Sequence, residues 1–290
     1  MIRLEHTEHR KGNTKEREQS KKKENQKGEN KKKKKRWLSP TAVNNYLKCP
    51  RSFFLSKIEK LKQKPSIHLI RGIAVHSAAE KFYKNKMNKY PEMDYSDLRN
   101  IVLGLFKTEW EYKKNQLDRL DLNPDEIEFF YSDSQKMMIN FLDDFIQNKG
   151  FEKPTPIVEK MLFSHKYLLL AKLDKIEMNR NDSREIPDYI EDFKTSKSME
   201  ITESIKRQLG ICSILYEEIY KRKPVLGINF LKFRKGKKIV EISEEYKEEL
   251  KNLILDIHSK TQSEDIDDYP CTCGWCKKNF DTDTLCQRLI

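Results

Sequence analysis

Three features of the chain predict a mixed α/β domain, a sheet core flanked by helices. Helix-period apolar patterning runs through residues 39–148, strand-length apolar segments separated by polar turns crowd residues 157–242, and one long helical segment interrupts those strands. The cysteines suggest how the ends meet. Cys49 stands alone, whereas Cys271, Cys273, Cys276 and Cys286 fall within the last twenty residues, so a metal centre drawing on both sets would clasp the two ends around everything between them.

Each element has a local reason. Ser39-Pro40 opens a helix, because serine caps the free N–H groups and proline suits the first helical position; that helix carries Val43, Tyr46 and Leu47 toward Cys49. The stretch Phe53–Ile58 also reads as helical. A third helix is expected from about Gly72 to Lys89, with Ile73, His76, Ala79, Glu80 and Tyr83 at three- and four-residue intervals. Two long amphipathic helices follow, over about Tyr95–Leu117 and Pro124–Asn148, with Asp121–Asn123 as the turn. They carry no clustered chemistry and read as scaffold or as a substrate-gripping lobe.

The texture changes at Pro154. Ile157–Phe163 and Tyr167–Ile176 read as strands joined by a turn at Ser164–Lys166, and Tyr189–Lys194 as a third strand after the polar turn Asn179–Arg184. A helix over about Ile201–Tyr220 crosses over to strands at Val225–Phe233 and Lys238–Ile242, joined at Lys235-Gly236-Lys237. A last helix, Glu244 to about Lys260, leads to the cysteine cluster. The expected organisation is a basic tail over residues 1–36 and one domain over 37–290. That domain would hold a helical lobe (37–150), a catalytic core (151–242) and a C-terminal helix with the cluster (243–290).

Composition narrows the class. The 290 residues contain no apolar run long enough to span a bilayer, and Met1–His6 lacks the apolar core of a secretion signal, so a soluble, cytoplasmic protein with reduced cysteines is expected, nuclear if the source is eukaryotic. In a reducing compartment, closely spaced cysteines are thiolate ligands sooner than disulfide partners. Cys212, in an apolar-periodic segment, reads instead as a small buried hydrophobe. Of the net charge of +12, +9 belongs to Met1–Arg36, where 15 Lys and Arg face six Glu. Poor in apolar residues, this tail is expected to be disordered. It reads as an electrostatic arm for nucleic acid, as a solubilising tail or as a nuclear-localisation signal.

One strand concentrates the chemistry. Residues i and i+2 of a strand share a face, so Asp192 and Lys194 project together. Asp174 joins them if its strand pairs antiparallel with theirs. Two carboxylates and an ammonium at one point suit a hard cation that polarises a phosphodiester and activates water. Asp174 and Asp192 would be its ligands, with Lys194 orienting the water or countering charge on the phosphate. His76 would add an imidazole better matched to Mn²⁺ than to Mg²⁺, and Glu159 is a weaker candidate for a water-mediated ligand.

These residues carry a resemblance. Leu38-Ser39-Pro40-Thr41-Ala42-Val43-Asn44-Asn45-Tyr46-Leu47-Lys48-Cys49-Pro50-Arg51-Ser52-Phe53 resembles the opening of RecB-like nucleases of the PD-(D/E)XK superfamily. Arg71–His76 is similar to their Gly-x-x-x-His helix, Leu173–Ile176 to their first acidic motif, Glu191–Thr195 to their (D/E)-x-K motif, and Gln208 to the glutamine of the next helix. The resemblance implies a restriction-endonuclease-like fold and a divalent-metal-dependent DNA nuclease, most simply an exonuclease on single-stranded or end-containing DNA. It implies Mg²⁺ or Mn²⁺ held by His76, Asp174, Asp192 and the main-chain carbonyl of Phe193, with Asp174, Asp192 and Lys194 catalytic and Gln208 and Tyr216 binding substrate. Tyr216 lies one helical turn beyond the family's usual tyrosine position, which Cys212 occupies here.

The resemblance also implies an iron–sulfur variant, as in CRISPR-associated RecB-like exonucleases, the AddB nuclease domain and exonuclease V. A [4Fe–4S] cluster would sit on Cys49, Cys273, Cys276 and Cys286, with Cys271 as the alternative ligand. Spacing alone favours a Zn²⁺ site on the four C-terminal cysteines. Protein partners in DNA repair or CRISPR adaptation are compatible with the resemblance. The competing function is a non-catalytic DNA-binding or adaptor protein that keeps the cluster for structure.

Overall fold

The computed structural model describes residues 36–85, 91–179, 186–274, 276 and 280. The expectations for the tail before residue 36, for residues 86–89 of the third helix, for most of the turn after Asn179 and for Cys286 lie outside these residues.

The architecture is a five-stranded mixed sheet with helices packed against it. In chain order the helices α1 (Pro40–Lys48), α2 (Pro50–Phe53, continued by a π turn at Phe54–Ile58), α3 (Ile67–Lys84), α4 (Tyr95–Glu111), α5 (Lys114–Leu117) and α6 (Pro124–Gln147) come first. Strands β1 (Ile157–Ser164), β2 (Leu169–Glu177) and β3 (Tyr189–Lys194) follow, then α7 (Glu203–Tyr220), β4 (Val225–Phe230), β5 (Lys237–Ile239) and α8 (Glu244–Lys260). The strands lie side by side in sequence order; β3 and β4 are parallel and every other neighbouring pair is antiparallel. The parallel pair is what obliges the crossover through α7.

Local chemistry sets most boundaries. Ser39 accepts a hydrogen bond from the Ala42 N–H with Pro40 behind it, and Asn123 and Glu126 form a reciprocal capping box at α6. The third helix begins at Ile67, five residues before the expected Gly72, because the Ser66 hydroxyl caps it by accepting from the Leu69 N–H. Gly72 instead lies inside α3, where an added Cβ would meet the Thr195 hydroxyl at 3.5 Å. The helix expected to reach Leu117 breaks at Tyr112 and resumes as the single turn α5. β4 stops at Phe230, whose N–H turns to the Gly236 carbonyl.

Two apolar cores flank the sheet. One gathers α1, α2, α7 and α8 with Leu169, Ala171, Leu173 and Ile176 of β2; the other gathers α3, α4 and α6 with Phe193. Residues 173 and 176 both enter the first core although strand alternation puts positions three apart on opposite faces. The change falls at Asp174, where the β1–β2 pairing is interrupted between Val158–Lys175 and Lys160–Leu173, and Glu159 in the same gap has φ 56°. A left-handed glutamate costs backbone energy, and such positions gather at functional sites.

Candidate active site and cysteine centre

Four elements deliver the predicted catalytic groups to one end of the sheet. Antiparallel pairing of β2 with β3, registered by Lys175 opposite Glu191, brings Asp174 level with Asp192. Asp174 Oδ2 accepts from the Phe193 N–H at 2.9 Å and meets His76 Nδ1 of α3 at 3.3 Å. The His76 ring stands edge-on to Phe193, with centroids 6.1 Å apart. Lys194 Nζ lies 2.7 Å from Asp192 Oδ2. Gln208, reaching in from α7, donates to Asp192 Oδ1 at 2.6 Å and accepts from Lys194 Nζ at 2.9 Å.

Charge balance follows from burial and pairing. Burial pushes the Asp192 carboxyl above its ordinary range, reinforced by the neighbouring Asp174 carboxylate and opposed by Lys194. Burial acts on Asp174 in the same sense, but His76, the Phe193 N–H and Lys194 together hold it below its usual range. His76 is raised: burial disfavours its charge and the Asp174 carboxylate outweighs that. Lys194 is likewise raised by Asp192 against the cost of burial.

These residues suit a divalent cation. Asp192 Oδ2 is buried against Lys194 Nζ at 2.7 Å. Two carboxylates grouped with an imidazole are a donor set that a divalent cation takes. A cleft of about 360 Å³ opens at Asp174 and His76, lined also by Glu80, Glu159 and Lys172 among others. Glu159 is ion-paired to Lys172.

Other predicted residues sit differently. Gln208 has both ends of its amide engaged, the nitrogen donating to Asp192 and the oxygen accepting from Lys194. Tyr216 is fully buried and donates its phenol hydrogen to Asp188 Oδ2 at 2.7 Å. It packs in the core beside the sheet with no surface for DNA to meet, two helical turns beyond the glutamine. Cys212 is buried as expected. Glu80 and Lys172 had no role in the sequence reading; Glu80, one turn after His76 on the same helix face, was the more legible of the two.

Behind the site lies a buried ion network. Lys175 contacts Glu177 at 2.6 Å and Glu191 at 3.0 Å, while Lys237 contacts Asp144 at 2.8 Å and Glu191 at 3.2 Å. It anchors the residue immediately before Asp192.

The chain ends meet at the cysteines. The sulfurs of Cys49, Cys271, Cys273 and Cys276 lie within 4.8 Å of one another, with Cys49 and Cys276 3.4 Å apart. Cys271 therefore joins the three cysteines that the family pattern assigned. The junction is pinned by Arg51 Nε donating to the Tyr269 carbonyl at 2.6 Å, by Thr272 donating to the Lys48 carbonyl at 3.1 Å and by the Phe54 and Tyr269 rings, 4.8 Å apart. Burial raises the Cys49 thiol, but backbone N–H groups of Ser52 and Thr272 and the neighbouring thiols bring it down to about 6, suiting it to ligate as thiolate.

The sheet order, the carboxylates of Asp174 and Asp192 and the lysine beside them agree with what the family comparison finds. The chain belongs to the PD-(D/E)XK nuclease superfamily, whose profile matches residues 37–279. It is a nuclease by family. A solved structure described as a candidate exonuclease from Eubacterium rectale is similar at a TM-score of 0.47 and 11% identity, over 79% of this chain and 82% of that one. Comparison with curated proteins gives no match. Among the described residues no helix is long and apolar enough to cross a membrane.

Proposed function

We propose that residues 37–290 form a metal-dependent DNA nuclease that degrades single-stranded or end-containing DNA, following a basic arm over residues 1–36. The observation that carries this reading is the convergence of Asp174, Asp192, Lys194 and His76, with His76 and Asp174 lining an open cleft.

His76, Asp174, Asp192 and the Phe193 carbonyl would hold Mg²⁺ or Mn²⁺. The bound ion would polarise the scissile phosphate and acidify the attacking water. Lys194, held by Gln208 and Asp192, donates toward the attacking water and the charge that develops on phosphate. Gln208 keeps Lys194 and Asp192 at fixed separation, and Phe193 packs into the helical lobe so that its peptide N–H can hold Asp174.

Cys49, Cys271, Cys273 and Cys276 would hold a structural metal group that clasps the chain ends. The resemblance to iron–sulfur members favours [4Fe–4S]. The sulfur spacing favours Zn²⁺, since Zn–S bonds of ~2.3 Å in a tetrahedron put sulfurs ~3.8 Å apart, whereas a four-iron cube needs them spread further. Metal analysis with visible absorption of anaerobically purified protein separates the two.

End-labelled linear and circular single-stranded DNA, incubated with Mn²⁺, test the activity. Stepwise shortening of the linear strand with the circle intact is expected; cleavage of the circle at the same rate would overturn the exonuclease reading, and no cleavage of either would favour the DNA-binding adaptor.

A further inference from the structure

The outer face of the β1–β2 hairpin is bare where an apolar sheet face is ordinarily covered. Phe163 is 48% exposed, Met161 38% and Trp37 37%. Trp37 reaches this face because Leu38 bridges to Leu169 and turns inward, leaving its neighbour outward. Its ring meets Phe163 edge-on with centroids 5.9 Å apart and His165 at 5.1 Å. Exposed aromatics grouped in this way mark a binding surface.

The strip is continuous with the cleft. Across the ladder Phe163 stands opposite Leu170 and Met161 opposite Lys172, and Lys172 lines the cleft together with Glu159 and Asp174. From Asp174 to Leu170 along β2 is four residues, about 13 Å at ~3.3 Å per residue. That length accommodates about four stacked bases at ~3.4 Å each.

The charge suits a polyanion. Lys166 is exposed at the hairpin turn, Lys172 is exposed on this face beside its ion-pair partner Glu159, and in sequence six consecutive basic residues, Lys31 to Arg36, run directly into Trp37. Aromatic faces beside lysines grip single strands regardless of sequence, because every base offers a π face. A duplex keeps its bases paired and offers this strip only its backbone.

We propose that Trp37, Phe163 and Met161 form a stacking track for single-stranded DNA that leads to the Asp174 end of the cleft. The assignment rests on the nuclease reading for its substrate, and its test is separable from that reading because binding can be measured without cleavage.

Binding of the full-length, metal-loaded protein to labelled oligo-dT and to a blunt duplex is measured by anisotropy in Ca²⁺, and cleavage separately in Mn²⁺. Trp37→Ala and Phe163→Ala are each expected to weaken oligo-dT binding about 5- to 150-fold, the equivalent of ~1–3 kcal/mol per stacked base. Duplex binding should change less than twofold. Trp37→Phe, which keeps a π face and guards against a folding defect in the alanine variant, should recover most of the affinity. Unchanged oligo-dT affinity in both alanine variants, or equal loss for duplex, overturns the track. Unchanged affinity with altered self-association on size exclusion also overturns it and reassigns the face to contact between copies. If the parent protein cleaves no DNA but the aromatic variants still lose oligo-dT selectively, the nuclease reading fails and the track stands.

Discussion

Gln208 bridges the two groups on which the chemistry depends, so its replacement by leucine, similar in size and without hydrogen-bonding atoms, separates positioning from substrate binding. The wild-type amide makes a 2.6 Å bond to Asp192 Oδ1 and a 2.9 Å bond from Lys194. Each involves a charged partner and is worth ~1.5–3 kcal/mol. Part is recovered in the variant, since Lys194 and Asp192 still pair directly at 2.7 Å. What is lost is the constraint on the pair, and removing a group that orients metal-site residues costs about 10- to 100-fold in activity or metal affinity. Single-turnover cleavage of a labelled strand at saturating Mn²⁺, with the DNA Kd measured alongside, should show the rate falling by that factor and the Kd unchanged. A Gln208→Leu protein that cleaves at the wild-type rate and loses only DNA affinity would refute the positioning role and restore the substrate contact expected from sequence.

Three further outcomes follow from the same geometry. Lys175→Met removes the cation that Glu177 and Glu191 share, leaving Glu177 to Lys153 and Glu191 to Lys237. Breaking a buried pair costs ~3–5 kcal/mol, so Tm should fall by about 6–20 °C at ~2–4 °C per kcal/mol, with Glu191→Gln in the Lys175→Met background restoring some of the loss; an unchanged Tm would remove the network from the stabilising interactions. Burial raises Glu177, but Lys175 and Lys153 hold it at about 2. Its folded pKa is thus below the unfolded value near ~4.3, so its contribution is full above that value and disappears as pH falls toward 2. Urea titrations at pH 5 and pH 3 should show a smaller decline for Glu177→Gln than for the parent. Cys49→Ala and Cys271→Ser should each abolish stoichiometric iron or zinc and lower Tm; full metal occupancy in Cys271→Ser, with loss in Cys286→Ser, would return the fourth ligand to Cys286.

The sequence made the catalytic strand legible because its signals are local. The period of two puts Asp192 and Lys194 on one face, and the apolar run Leu168–Leu170 with its polar turn marks the hairpin that carries Asp174. What escaped depends on tertiary approach. No local pattern marks the switch of faces at Glu159 and Asp174, the buried ladder of Lys175, Glu191 and Lys237, or the occupation of both ends of the Gln208 amide. Tyr216 misled because helix spacing states which face a residue shares and leaves open whether that face meets substrate or core. The third helix begins five residues before Gly72 because the Ser66 hydroxyl caps it, a signal weaker in sequence than the glycine. Cys271, reckoned the alternative ligand, sits with Cys49, Cys273 and Cys276 because Tyr269 and Arg51 fold the chain back before the cysteines begin.

The account turns on Lys194 and the carboxylates acting with a divalent ion on DNA. Single-turnover cleavage of 5′-labelled single-stranded DNA by anaerobically purified protein, in Mn²⁺ and in EDTA, beside Lys194→Ala, addresses that claim most directly. The parent should cleave only with Mn²⁺, and Lys194→Ala should lose at least about 100-fold in rate, as for removal of one group that stabilises transition-state charge, while still binding DNA. Cleavage in EDTA, or undiminished cleavage by Lys194→Ala, would contradict it.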